Sequence, residues 1–204
     1  MLKETFTELL TKYNAVPETI GKLWAEIEEQ YSGKKKHYHT LQHLQHLLQE
    51  LEAVKSDIKN WETVLFSLYY HDIIYNAVKS DNEEQSAELA GKRMQQLDIP
   101  EPTIRSCKAQ ILATKKHLES ADSDTNYFTD ADLSVLGLDW ETYADYSTKV
   151  RKEYAFYPDM VYNAGRRKVL KHFLEMDKIF KTRHFQEKFE TQAKLNIFKE
   201  LRFL

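Results

Sequence analysis

The chain has very little with which to turn. It carries 5 Gly and 4 Pro in 204 residues, so 9 in all and about 4%, where an average protein has about 12%. A sandwich or barrel needs a turn roughly every ten residues, and most turns call for Gly, Pro, Asn or Asp. A chain this poor in Gly and Pro spends its length in a few long elements, which makes it all-α. The length suits a single domain over residues 1–204, whose core would bury on the order of 70% of the unfolded surface.

Apolar spacing supports helices almost throughout. After Pro17, a first-turn residue, Ile20, Leu23, Trp24, Ile27 and Tyr31 recur every three or four positions, and Gly33 marks a stop. Thr40 is placed to cap a helix carrying Leu41, Leu44, Leu47, Leu48, Leu51 and Val54. Asn60 would cap NWETVLFSLYYHDIIYN, a stretch with almost no polar face that belongs at the centre of the domain. Asp81 and Glu84 have the spacing of a capping box for a helix to Leu97. A further helix after Pro100 and Pro102 runs to Leu118, followed by an acidic loop, ESADSDTN. A short helix, FTDADLSVLG, closes at Gly137, and the rest reads as helices over 139–156, 159–175 and 186–202.

Several function classes drop out. One cysteine, Cys107, can form neither an internal disulfide nor a Cys-based zinc site. The opening MLKETFTELL lacks a signal peptide's apolar core, and no apolar run approaches the roughly 18 residues that cross a bilayer. The expectation is a cytoplasmic protein without membrane partners. With 29 basic and 32 acidic residues well mixed, nothing favours nucleic acid. No Gly-rich phosphate loop, His-Glu-x-x-His helix or Gly-x-Ser-x-Gly elbow occurs, and no histidine follows a Glu by three residues, as in di-iron bundles.

Histidine placement is what remains. Four of the eight, His37, His39, His43 and His46, fall within ten residues. On a helix, His39, His43 and His46 would share an arc of about 60°, which is either a solvated polar face or one wall of a metal pocket. His71 and Asp72 sit in an otherwise apolar stretch. A carboxylate there needs a cation, a metal, strong hydrogen bonds or a helix end open to water.

Motifs in order carry a resemblance. Tyr38-His39-Thr40-Leu41-Gln42-His43 is similar to the Tyr-His-Asn-x-x-His of cyclic nucleotide phosphodiesterases, with Thr40 in place of Asn. Tyr70 to Tyr75, Asn82 to Ala87, Ala113 to His117, Asp130 to Leu133 and Arg151 to Tyr154 resemble a little-characterised group of predicted phosphohydrolases in the HD-domain metal-dependent superfamily. The resemblance covers about residue 20 to the end. It implies an orthogonal helical bundle of HD type, with the C-terminal helices packing on the metal-binding core. It also implies that His43, His71, Asp72 and Asp132 hold a metal. Asp130, 200° from Asp132 on a helix, would serve as a helix-end or supporting residue.

Two imidazoles and two carboxylates suit one divalent transition metal, whether manganese, iron, zinc, cobalt or nickel, ahead of magnesium. His117 stands outside this primary set. The expected activity is hydrolysis of a nucleotide or other small phosphoester through metal-activated water. His39 would be the acid for the leaving group, and Glu83 a base acting beside Asp72. Lys115 and Arg151 are the first candidates to bind the substrate phosphate, ahead of Lys116 and the Arg166-Arg167 pair. The alternative is a non-catalytic regulatory module that binds metal or nucleotide on the same fold. Either would accommodate a homo-oligomer. The turn-rich segments, including the lysine loop before His39, lie next to the implied ligands and so mark the mouth of the site.

Overall fold

The computed structural model describes residues 1–204 and contains ten α-helices and no strand. They are α1 (Leu2–Thr11), α2 (Pro17–Tyr31), α3 (Leu41–Ala53), α4 (Trp61–Tyr70), α5 (Asn82–Gln95), α6 (Glu101–Ala113), α7 (Ser123–Leu133), α8 (Trp140–Glu153), α9 (Asp159–Glu175) and α10 (Arg183–Leu201). No helix is long and apolar enough to cross a membrane. The chain packs as two compact units, Met1–Thr129 and Asp130–Leu204, and the division falls inside the continuous helix α7.

In the first unit, α4 packs against α1, α3, α5 and α6. Every residue from Thr63 to Tyr70 is buried, as an all-round apolar helix requires. Each large side chain there contributes roughly 1.5–3 kcal/mol of burial. Ser67 donates to Gln110 Oε1 at 2.7 Å. Cys107 on α6 is fully buried, which pushes its thiol up to about 12 and keeps it protonated. The structure adds α1, whose Leu2, Phe6, Leu9 and Leu10 form a buried face that the spacing after Pro17 does not announce.

Several expected boundaries shift. α4 stops at Tyr70, so His71 and Asp72 stand at a helix end and not within a helix running to Asn76. The amide groups beyond are taken up by side chains from elsewhere. Asp72 N–H donates to the Tyr31 hydroxyl, Ile74 N–H to Ser86 Oγ and Asn76 N–H to Asn82 Oδ1. The expected capping box at Asp81 is absent; its carboxylate accepts from the Gln85 amide instead. Thr40 and Asn60 hold N-cap positions without side-chain cap bonds. The Asn60 and Lys59 amides are instead met by Asp124, at 2.7 and 3.0 Å. Part of the expected acidic loop is helical, with α7 beginning at Ser123.

In the second unit, α10 packs against α9 and against a 3-10 turn at Ser134–Gly137. Asn196 ties α10 to this turn, donating to Leu136 O and Leu138 O at 2.9 and 2.8 Å. Gly137 has no positive φ, so its function is close approach, not helix termination. A Cβ there would stand 2.4 Å from Phe189 Cβ and 2.8 Å from its Cα. The Arg166 guanidinium grips the Glu200 carboxylate at 2.8 and 3.0 Å, both side chains being 7% exposed. Tyr143 and Ser147 hydroxyls donate to the same carboxylate.

Candidate metal centre

Two imidazoles form the floor of the site. His43 comes from the first turn of α3 and His71 from the end of α4, and they are 5% and 1% exposed. The Nδ1 of His71 lies 2.9 Å from Leu68 O. A backbone carbonyl accepts, so Nδ1 carries the proton and Nε2 presents its lone pair. That Nε2 stands 3.1 Å from His43 Nε2 and 3.1 Å from Asp72 Oδ2, which is itself 3.8 Å from His43 Nε2.

Asp132 lies in the last turn of α7, one turn beyond Phe128 on the same helix face. The Phe128 ring meets the His71 imidazole edge-on, with centroids 5.7 Å apart. One ligand atom each from His43, His71 and Asp132 falls within 4.8 Å of the others. Asp72 flanks the two imidazoles without belonging to that group. The distances suit an ion. Donors about 2.1 Å from one metal, at angles between octahedral and tetrahedral, lie about 3.0–3.4 Å apart. The 3.1 Å separation of the His43 and His71 Nε2 atoms falls in that range. Nitrogen donors beside carboxylates, in a largely buried setting, match the preferences of first-row transition metals.

His39 precedes α3 and so does not share its helical arc with His43 and His46. It is placed by ring contacts instead. It stacks on Tyr75 at a centroid distance of 3.9 Å, lies edge-on to Tyr38, and holds Nε2 3.7 Å from Asp72 Oδ2. With its side chain 15% exposed, it is both near the carboxylate and open to solvent.

Other candidates are engaged elsewhere. Lys115 pairs with Glu84 at 2.5 Å and with Glu83 at 3.8 Å and donates to Ser80 O, and the hydrogen bond to Glu84 raises its pKa. Glu83 thus lies in the first turn of α5 beside an ammonium. Arg151 in the second unit clasps Asp159 and the carbonyls of Tyr154 and Tyr157, fixing the connection from α8 to α9. Asp130 is fully buried and accepts from the amides of Lys181 and Thr182, a supporting role at the start of α10.

Two residues near the centre are not among the motif positions. Tyr31 accepts from the Asp72 amide at 3.2 Å, and Lys36 donates to Asp72 O at 2.9 Å. Their only sequence signal is proximity to the lysine-rich turn. No family model matches the chain, and no curated protein or solved structure matches it.

Proposed function

We propose that this chain is an HD-type metal-dependent phosphohydrolase acting on a nucleotide or another small phosphoester. The observation that carries the reading is the convergence of His43, His71 and Asp132 within 4.8 Å, flanked by Asp72 and His39. Manganese, iron, zinc, cobalt or nickel would suit these donors ahead of magnesium. When bound, such a metal polarises a phosphoryl oxygen and lowers the pKa of water.

The chain's own residues then divide the work. His43, His71 and Asp132 hold the ion, with the Leu68 carbonyl fixing the His71 tautomer. Asp72 Oδ2 sits between the ligand imidazoles and His39, so it orients His39 while supporting the centre. His39, partly open to solvent, is positioned to give a proton to the leaving oxygen.

Metal analysis of the purified protein, paired with assays of nucleotides and nitrophenyl phosphoesters under manganese and cobalt, tests the reading. About one ion per chain is expected, together with hydrolysis that Asp132→Ala abolishes. A chain free of first-row metal and inert on every ester would overturn it. Stable metal or nucleotide binding without turnover would favour a regulatory module.

A further inference from the structure

The end of the loop between α9 and α10 offers a second inference, which rests on the phosphohydrolase reading. From Ile179 to Thr182 every backbone amide is taken by a carboxylate. Ile179 N–H donates to Glu190 at 3.1 Å and Phe180 N–H at 3.0 Å. Lys181 N–H donates to Asp130 at 2.9 Å and Thr182 N–H at 2.7 Å. The Gln186 side-chain amide donates back to Phe180 O and Lys181 O. A segment fixed at so many points is a strap, and Asp130 ties it to α7.

The tie is a buried ion pair. Lys181 Nζ lies 3.2 Å from Asp130 Oδ1, with the two side chains 4% and 0% exposed. The Thr182 hydroxyl adds a donor to Asp130 at 2.8 Å. Lysines in the chain's other ion pairs keep their side chains at least 32% exposed. A lysine is rarely buried as far as Lys181, because desolvating its ammonium is costly. Burial pushes the Lys181 ammonium down, and Asp130 and then Asp132 draw it back up.

Helix geometry gives this tie its consequence. Asp130 and Asp132 both lie in the last turn of α7, which has no basic residue of its own. Two carboxylates there oppose the negative end of the helix dipole, so the turn draws its cations from elsewhere. At about 100° per residue, the two side chains leave the helix on nearly opposite faces. Asp130 is the anchor, and Asp132 is the carboxylate that joins His43 and His71. What holds Asp130 therefore sets the rotation of this turn about the helix axis, and with it the direction of Asp132.

We propose that Lys181 and Thr182 are positioning residues for the metal ligand Asp132: they seat Asp130 on one face of α7 and so hold Asp132 toward the two imidazoles. The sign of the effect separates this role from a purely electrostatic one. A fixed cation repels a metal ion, so if Lys181 acted through charge alone its removal would tighten metal binding. A positioning residue does the opposite.

The test is calorimetric titration of manganese into the full, chelated chain, with cobalt and zinc in parallel. Lys181→Met, which keeps the apolar stem and removes the ammonium, should weaken metal binding by about ten- to a hundredfold. Thr182→Val, which removes one donor and leaves the ion pair, should weaken it by a smaller factor. Glu200→Gln is the control. It breaks a buried ion pair of the same unit whose partners lie on α8 and α9, and it should keep wild-type affinity while lowering stability. Circular dichroism melting confirms that each variant is folded at the titration temperature. Unchanged or tighter metal binding in Lys181→Met overturns the inference, and so does an equal loss in Glu200→Gln, which would trace the effect to stability. If Lys181→Met does not fold, Thr182→Val decides, and wild-type affinity there overturns the inference. A wild-type chain that binds no first-row metal removes the phosphohydrolase reading and the inference with it. A wild type that binds metal, and a Lys181→Met that binds it equally well, removes the inference alone.

Discussion

Tyr31, the last residue of α2, accepts a hydrogen bond from the backbone of Asp72, 41 positions later, at 3.2 Å. The bond does two things. It takes up an amide that α4 leaves behind when it stops at Tyr70, and it fixes the backbone between His71 and the rest of the site. Tyr31→Phe keeps the buried ring beneath Lys36 and removes the hydroxyl that accepts from the Asp72 amide. The expected result is a loss of about tenfold in metal affinity, the usual scale for groups that orient ligands. Stability should fall by only about 1 kcal/mol. Competitive metal titration beside thermal melting separates the two, and an unchanged metal affinity would show that Tyr31 only packs.

The Arg166–Glu200 pair gives a prediction about stability that is independent of the metal. Burial opposes the Glu200 charge, but Arg166 and the hydroxyls of Tyr143 and Ser147 outweigh it and hold the carboxyl below its usual value. A carboxyl depressed in the folded state stabilises the fold above its unfolded pKa, near 4.3. That contribution is lost as pH falls through the folded value. Glu200→Gln leaves Arg166 buried without its counter-charge and should cost about 3–5 kcal/mol at neutral pH. The difference from wild type should narrow below about pH 4. The double variant Arg166→Met/Glu200→Leu should recover most of the loss. Urea midpoints measured from pH 3 to 7 check all three, and a gap that does not depend on pH would contradict the assignment.

What could be read from the sequence, and what could not, follows from the range of the interactions. The helices α2 to α4 are legible because a 3.6-residue period is local, and Pro17 opens α2 as its chemistry requires. The buried face of α1 has the same period, in Leu2, Phe6, Leu9 and Leu10. The family resemblance implies His43, His71, Asp72 and Asp132 as ligands, and the structure brings ligand atoms of three of them, His43, His71 and Asp132, within 4.8 Å of one another. The stop at Tyr70 could not be read from the sequence, since it depends on Tyr31, Ser86 and Asn82 supplying partners from other elements. The caps failed for a related reason. A side chain with the right identity at Asp81 found Gln85 instead of the α5 amides. Gly137 was legible as special but not for its cause, which is the approach of α10.

That approach makes Gly137 intolerant of even one methyl group. A Cβ would meet Phe189 backbone atoms, its carbonyl oxygen at 2.7 Å, and backbone cannot rotate away as a side-chain tip can. Gly137→Ala should destabilise by at least about 1–3 kcal/mol, the cost of overpacking. By contrast, Gly165→Ala, with open space around its Cβ and a place within α9, should be neutral or stabilising by up to about 1 kcal/mol. Equal melting temperatures for the two variants would show that α10 yields at this contact.

His39 separates catalysis from metal retention. It is not in the group formed by His43, His71 and Asp132, so His39→Ala should keep the metal. If His39 donates a proton to the leaving oxygen, its removal should cost about 10²–10⁴ in kcat for an alkyl or nucleoside ester, whose alkoxide is a poor leaving group. A p-nitrophenyl ester leaves without a proton and should lose far less. The comparison has a built-in control, because loss of packing against Tyr75, stacked at 3.9 Å, would slow both substrates alike. An equal fall for both esters, with metal content intact, would therefore assign His39 to positioning and not to proton transfer. A loss confined to the alkyl ester places the acid at this ring.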